Sequence, residues 1–141
     1  MTGSAEPSRP ALRILAVDDD PVNLSLIRAI LTRAGEPAIR GAILREASSL
    51  AQARLVLERE PVDILLLDVH LPDGLGLDLA TELRQHRPDR PAIVALTASV
   101  LPVDQQAALD AGCDAFLAKP YAAAALISVV NQLASAKRSP A

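Results

Sequence analysis

A chain of 141 residues, half of them apolar and carrying a formal net charge of −3, has the length of one domain with a single sizeable core and not the composition of a disordered polymer. Its basic residues cluster only at Lys137 and Arg138, so direct nucleic-acid binding, which needs a phosphate-neutralising face, is not expected. No apolar run approaches the roughly 20 residues that span a bilayer, and the single Cys113 excludes an internal disulfide or a zinc site of its own, which favours a soluble protein in reducing, cytoplasmic surroundings.

Residues 1–10 are polar and proline-containing, without an apolar signal core, and read as a flexible N-terminal tail. The domain is expected over 11–136, with 137–141 as a short C-terminal tail. Residues 12–17, apolar but for Arg13, end in Asp18, Asp19 and Asp20, the pattern of a buried strand. Pro21 suits a first helical position with Asp20 as its N-cap. The helix it opens places Val22, Leu26, Ile30 and Ala34 on one face beside Ile27 and Leu31, and Gly35 is the expected stop.

Residues 36–41 read as a loop and 42–46 as a short strand. Ser48 or Ser49 caps a helix in which Leu50, Ala53, Val56 and Leu57 share a face, and Pro61 ends it. The third strand, 62–67, closes abruptly at Asp68. Asp73-Gly74 then turns the chain, and Leu75, Leu79 and Leu83 mark a helix reaching His86. After a connector at 87–91 come a strand at 92–96 ending at Thr97, a helix from Pro102 to Ala111 stopped by Gly112, a strand at 115–118 ending at Lys119-Pro120, and a helix over 122–136 with Leu126, Val129, Val130 and Leu133 as its apolar face.

Strand followed by helix, repeated five times, predicts an α/β fold: a parallel sheet covered by helices on both faces. In such a sheet all carboxyl ends open on one side, so Asp18, Asp19, Asp68, Thr97 and Lys119 can converge there. Three carboxylates and one ammonium leave net negative charge. Like charges about 4 Å apart repel by roughly 4 kcal/mol at an effective dielectric near 20. A divalent cation offsets this, and an all-oxygen site suits Mg²⁺ rather than zinc. Beside it an aspartate carboxylate can attack phosphorus and form an aspartyl-phosphate. The ammonium of Lys119 and the hydroxyl of Thr97 would meet the phosphoryl oxygens.

Four stretches in order, Ile-Leu-Ala-Val-Asp-Asp-Asp-Pro-Val-Asn, Leu-Leu-Leu-Asp-Val-His-Leu-Pro-Asp-Gly-Leu-Gly, Leu-Thr-Ala and Ala-Gly-Cys-Asp-Ala-Phe-Leu-Ala-Lys-Pro, resemble the CheY-like receiver domain of two-component response regulators, over 12–136. The resemblance implies a flavodoxin-like five-stranded parallel sheet of order 2-1-3-4-5 with five helices. It implies that Asp68 is the phospho-acceptor, that Asp18, Asp19, Asp68 and the backbone carbonyl of His70 hold Mg²⁺, and that Thr97 and Lys119 contact the phosphoryl group. By the same resemblance Thr97 and Phe116 are the switch pair, and the Lys119–Pro120 bond is cis.

The partners so implied are a histidine kinase or a histidine phosphotransfer protein, and a downstream target met through the fourth helix, fifth strand and fifth helix, with the protein a monomer or a weak phosphorylation-dependent dimer. The chemistry would be limited to its own phosphorylation and autodephosphorylation, and the short tails suggest a stand-alone regulator. Two alternatives compete: a haloacid-dehalogenase-type phosphatase, whose signature is similar to Asp18-x-Asp20, and an unphosphorylated interaction module that keeps the fold. A few extra residues near 36–41 leave the second strand's register open.

Overall fold

In the computed structural model, which describes residues 11–87 and 89–138, the centre is three strands with almost no exposed residue: β1 (Arg13–Val17), β3 (Ile64–Asp68) and β6 (Ala92–Thr97). The unbroken apolar runs within them, 14–17, 64–67 and 92–96, follow from burial on both faces. The edge strands β2 (Ile43–Ala47) and β7 (Ala115–Ala118) are only partly buried, and β2 accordingly carries Arg45 and Glu46 in its middle. All pairings in this sheet are parallel, in the order β2-β1-β3-β6-β7. Setting aside a small hairpin, β4 (His70–Leu71) with β5 (Gly74–Leu75), this is the expected order 2-1-3-4-5.

Alternate residues of each strand feed two cores. Ile14, Ala16, Ile64, Leu66, Val94 and Leu96 pack with α1 (Pro21–Arg33) and α5 (Ala123–Arg138) on one face. Leu15, Val17, Leu65, Leu67, Ile93 and Ala95 pack with α2 (Leu50–Arg59), α3 (Gly76–His86) and α4 (Pro102–Ala111) on the other. Each fully buried Leu or Ile contributes about 2 kcal/mol of hydrophobic stabilisation.

The register left open by the extra residues is settled by Ile39. Its side chain is buried in the α1–α5 core, the turn around it is closed by bonds from the Ile39 and Arg40 N–H groups to the Glu36 carbonyl, and β2 enters with Ile43 opposite Arg13.

Three helix details depart from the sequence reading. Helix α1 buries Leu24, Ile27 and Leu31, whereas Val22 is 71% and Leu26 49% exposed. The helix carries two apolar stripes, and the sheet can cover only one of them. The same helix ends at Ala34, which is extended and donates its N–H to the Leu31 carbonyl; Gly35 is not needed in a left-handed conformation. In α3, Leu75 lies before the first turn and is exposed, and Ala80 takes its place beside Leu79 and Leu83.

Gly112 does close α4 as expected, at φ 115°. Helix α5 runs on to Arg138, past the expected end at 136. The expected N-terminal tail at 1–10, residues 139–141 of the expected C-terminal tail at 137–141, and Pro88 of the connector lie outside the described residues. Among the described residues no helix is long and apolar enough to cross a membrane.

Candidate functional site

The crevice of a sheet in this order lies at the carboxyl ends of its first and third strands, where the winding direction reverses. Asp18 follows β1 and Asp68 ends β3, and both are almost fully buried, with relative exposures of 1% and 8%. Burial of two carboxylates this close together demands donors.

Asp18 has three. The Asp20 N–H donates to Oδ1 at 2.9 Å, while the Asn23 amide and the Lys119 ammonium donate to Oδ2 at 3.2 and 2.9 Å. Asp68 accepts from the His70 N–H at 3.3 Å and its Oδ2 lies 3.4 Å from Lys119 Nζ. Lys119 therefore bridges the two acids from the far end of β7. Asp19 is exposed, yet carboxylate oxygens of Asp18, Asp19 and Asp68 lie within 4.8 Å of one another.

Thr97, at the end of β6, is buried, and its Oγ1 accepts from the Ser99 N–H at 3.1 Å. The Lys119 N–H donates to the Thr97 carbonyl at 2.7 Å, tying β7 to β6 at the site. Phe116 is half-buried opposite Ala95 and packs on the core beneath α2, α3 and α4. The Lys119–Pro120 peptide is cis. Asp20, the third acid of the run, is used as the cap of α1, accepting from the Val22 N–H at 2.9 Å.

The charges interact strongly. Burial lifts the Asp68 carboxyl above the usual carboxylate range and the charge of Asp18 lifts it further, while Lys119 and the His70 N–H pull it back. Burial works against the Lys119 ammonium, but its bonds and charge contacts with Asp18 and Asp68 prevail and hold it above the ordinary lysine value. Tyr121, beside them, is pushed up by burial, and the two acids add to this against the opposing pull of Lys119.

The sign of the Asp68 effect on stability is definite. A raised folded-state value means that the folded protein binds this proton more tightly than the unfolded chain, so this contribution to stability falls as pH rises through the carboxylate range towards the raised value. Metal-free Asp68→Asn is therefore expected to melt above the wild type at pH 7. The gap should close at a pH below about 4, where unfolded carboxylates are protonated. Calorimetry across pH, in buffer with a chelator, measures it; a variant less stable than the wild type at pH 7 contradicts the electrostatic assignment.

The oxygens of Asp18, Asp19 and Asp68 fit a hard divalent cation: all donors are carboxylate oxygens, mutually within bridging distance, with one exposed member open to solvent. Sequence reasoning found these acids because each stands at the end of an apolar run. It assigned no role to Asn23, whose amide reaches Asp18 across one helical turn, although its place five residues after Asp18 is the available signal. It also missed Gly76, which brings its Cα against the Asp68 carbonyl so closely that an added Cβ would lie 2.1 Å from that oxygen.

The chain is similar to known proteins. Residues 14–131 match the response regulator receiver domain family. The chain is 36% identical over 126 residues to the aerobic respiration control sensor protein ArcB of Escherichia coli (strain K12), a match that takes in 87% of this chain and 15% of ArcB. It is 37% identical over 108 residues to the response regulator protein PilR of Pseudomonas aeruginosa, covering 77% of this chain and 23% of PilR. The chain thus spans less than a quarter of the length of either relative. Among solved structures, the receiver domain of sensor histidine kinase PA1611 from Pseudomonas aeruginosa PAO1, described with a magnesium ion coordinated in its active-site cleft, is 31% identical and superposes with a TM-score of 0.75 over 89% of this chain and 99% of that one.

Proposed function

The chain belongs to the response regulator receiver domain family of two-component signalling, and on that premise we propose that it accepts a phosphoryl group on Asp68 from a histidine kinase or a histidine phosphotransfer protein. The observation that carries the proposal is the meeting of Asp18, Asp19, Asp68 and Lys119 in one buried-to-open cluster at the sheet's carboxyl edge. Asp18, Asp19, Asp68 and the His70 carbonyl would hold a Mg²⁺, which would supply positive charge to offset that of the transferred phosphoryl group.

In the transfer, an Asp68 carboxylate oxygen attacks phosphorus. The new bond is P–O, the bond broken is P–N, and the histidine nitrogen leaves with the electron pair. Asp68 is suited to this because it is fixed by the His70 N–H and Lys119, so little reorganisation precedes attack. Lys119 then exchanges part of its contact with the acids for the phosphoryl oxygens. The Thr97 hydroxyl turns from its bond with Ser99 to donate to one of them. Phe116, beside Thr97's strand, follows that motion and changes the face formed by α4, β7 and α5, which meets the downstream target.

Next to the site, Asn23, Leu26, Lys119, Pro120 and Tyr121 line a shallow depression of about 340 Å³, and the exposed Val22 and Leu26 give the phosphodonor an apolar landing. Receiver domains are signalling modules rather than turnover enzymes, and this one is read the same way.

Phosphotransfer profiling tests the proposal. With MgCl2 present, label on the histidine of a cognate phosphotransfer protein is expected to move to this chain as an acyl phosphate, labile to hydroxylamine. Label that stays on every histidine kinase and phosphotransfer protein of the source organism would sink it.

A further inference from the structure

The hairpin that carries His70 is fastened at its tip by a residue the chemistry above does not use. Asp73 lies in the turn between β4 and β5, and its two oxygens accept the N–H groups of Leu50 and Ala51 at 2.9 and 3.0 Å, across more than 20 residues of chain. These are the first two N–H groups of α2, which have no partner within the helix. The third, at Gln52, is taken by Ser49 Oγ at 3.1 Å. The helix end is thus shared between a local cap and a distant one.

The base of the same loop is tied by backbone bonds, from Val69 N–H to the Leu96 carbonyl and from Gly76 N–H to the Val69 carbonyl. Between tip and base lies His70, paired with Leu75 and donating its N–H to Asp68. Leu71 rests on the core that contains Leu50. At Gly74, with φ at 147°, a Cβ would meet Leu50 Cδ1 at 3.0 Å, so the tip lies directly on the first turn of α2. The bonds to Leu50 and Ala51 also draw the Asp73 carboxyl below its usual range.

We infer that Asp73 is a positioning residue for the metal site: its clamp on the first turn of α2 holds the β4–β5 hairpin, and with it His70, in the place where the His70 carbonyl and the Asp68 carboxylate face one cation. The inference rests on the phosphoacceptor reading for its metal. Its own content is the mechanical link from Asp73 to His70. An ordinary helix cap at this position would affect α2 alone. A clamp affects the site whether or not α2 is weakened.

Ser49 separates these possibilities, because its side chain caps the same helix end through the Gln52 N–H, whereas Asp73 does so from the hairpin. In a MgCl2 titration of nitrogen-15-labelled protein followed by amide shifts, Asp73→Ala is expected to raise the Kd about tenfold, the low end of what removing a supporting residue costs a metal site. Asp73→Asn, which keeps one acceptor oxygen, should fall between. Ser49→Ala should lower the melting temperature yet bind Mg²⁺ as the wild type does.

In metal-free protein, hydrogen exchange at the His70 amide should quicken in Asp73→Ala and not in Ser49→Ala. A wild-type Kd and unchanged His70 exchange in Asp73→Ala overturn the inference, as does an equal loss in Ser49→Ala. Wild-type protein that binds no Mg²⁺ instead removes the metal reading, and the exchange comparison still decides whether Asp73 positions His70.

Discussion

Treated with acetyl phosphate and MgCl2, the wild-type protein is expected to gain one phosphoryl group by intact mass, and Asp68→Ala to gain none. The loss should be complete, because no other carboxylate in the cluster can replace Asp68. Asp18 is more deeply buried and already engaged by three donors, from Asp20, Asn23 and Lys119. Asp19 is exposed and carries none of the fixed bonds that orient Asp68. A carboxylate in water is a poor nucleophile towards a phosphoryl group, and positioning and charge neutralisation supply most of what accelerates the transfer.

The same logic orders the neighbouring variants. Asp18→Asn keeps the acceptor but weakens the cation site, and its phosphorylation should slow by orders of magnitude without vanishing. Lys119→Ala leaves two buried acids facing each other, where the repulsion of roughly 4 kcal/mol expected at about 4 Å loses its main offset. Mapping the modified residue by borohydride reduction completes the test. An unmodified wild type, or a modified Asp68→Ala, would falsify the assignment of Asp68.

The second large effect is structural. Gly76→Ala is expected to destabilise the domain by about 3 kcal/mol or more, lowering the melting temperature by roughly 10 °C or preventing folding. The new methyl would stand 2.1 Å from the Asp68 carbonyl oxygen and 3.1 Å from Leu67 Cγ. The oxygen belongs to backbone at the end of the fully buried β3, which cannot yield as a side-chain tip can. Either α3 moves out, or the end of β3 does, and the second outcome displaces Asp68 itself.

Gly35→Ala is the control. Nothing lies within 4 Å of its added Cβ, and its φ is not positive. That change should be neutral or stabilise by up to about 1 kcal/mol through the unfolded state. Thermal melts of the two variants side by side check both statements. Equal melting temperatures for Gly76→Ala and wild type would show that the close approach at Asp68 is relieved at no cost.

What the bare sequence determined is the sheet and which polar residues stand at its edge. A strand buried on both faces is apolar along its buried length, so residues 14–17, 64–67 and 92–96 are written as uninterrupted runs, and the point where each run breaks into Asp18, Asp68 or Thr97 is also the sheet's carboxyl edge. Alternation of strands with helices then requires those edges to face one way. The cap of α1 at Asp20, that of α2 at Ser48 or Ser49, of which the structure uses Ser49, and the stop of α4 at Gly112 were readable for a similar reason: each depends on residues within one turn.

What only the tertiary structure decided are contacts between distant residues. Both stripes of α1 have helical spacing, and which one is buried, Leu24 with Ile27 and Leu31 rather than Val22 with Leu26, depends on where the sheet lies. Lys119 could have faced solvent; the parallel pairing of β7 with β6 brings it 2.9 Å from Asp18, 101 residues away. Gly76 against the Asp68 carbonyl and Asp73 on the first turn of α2 are likewise set by packing between segments. Local periodicity encodes which face of an element is apolar, but the partner that covers it, and the remote backbone a polar side chain reaches, exist only once the chain has closed on itself.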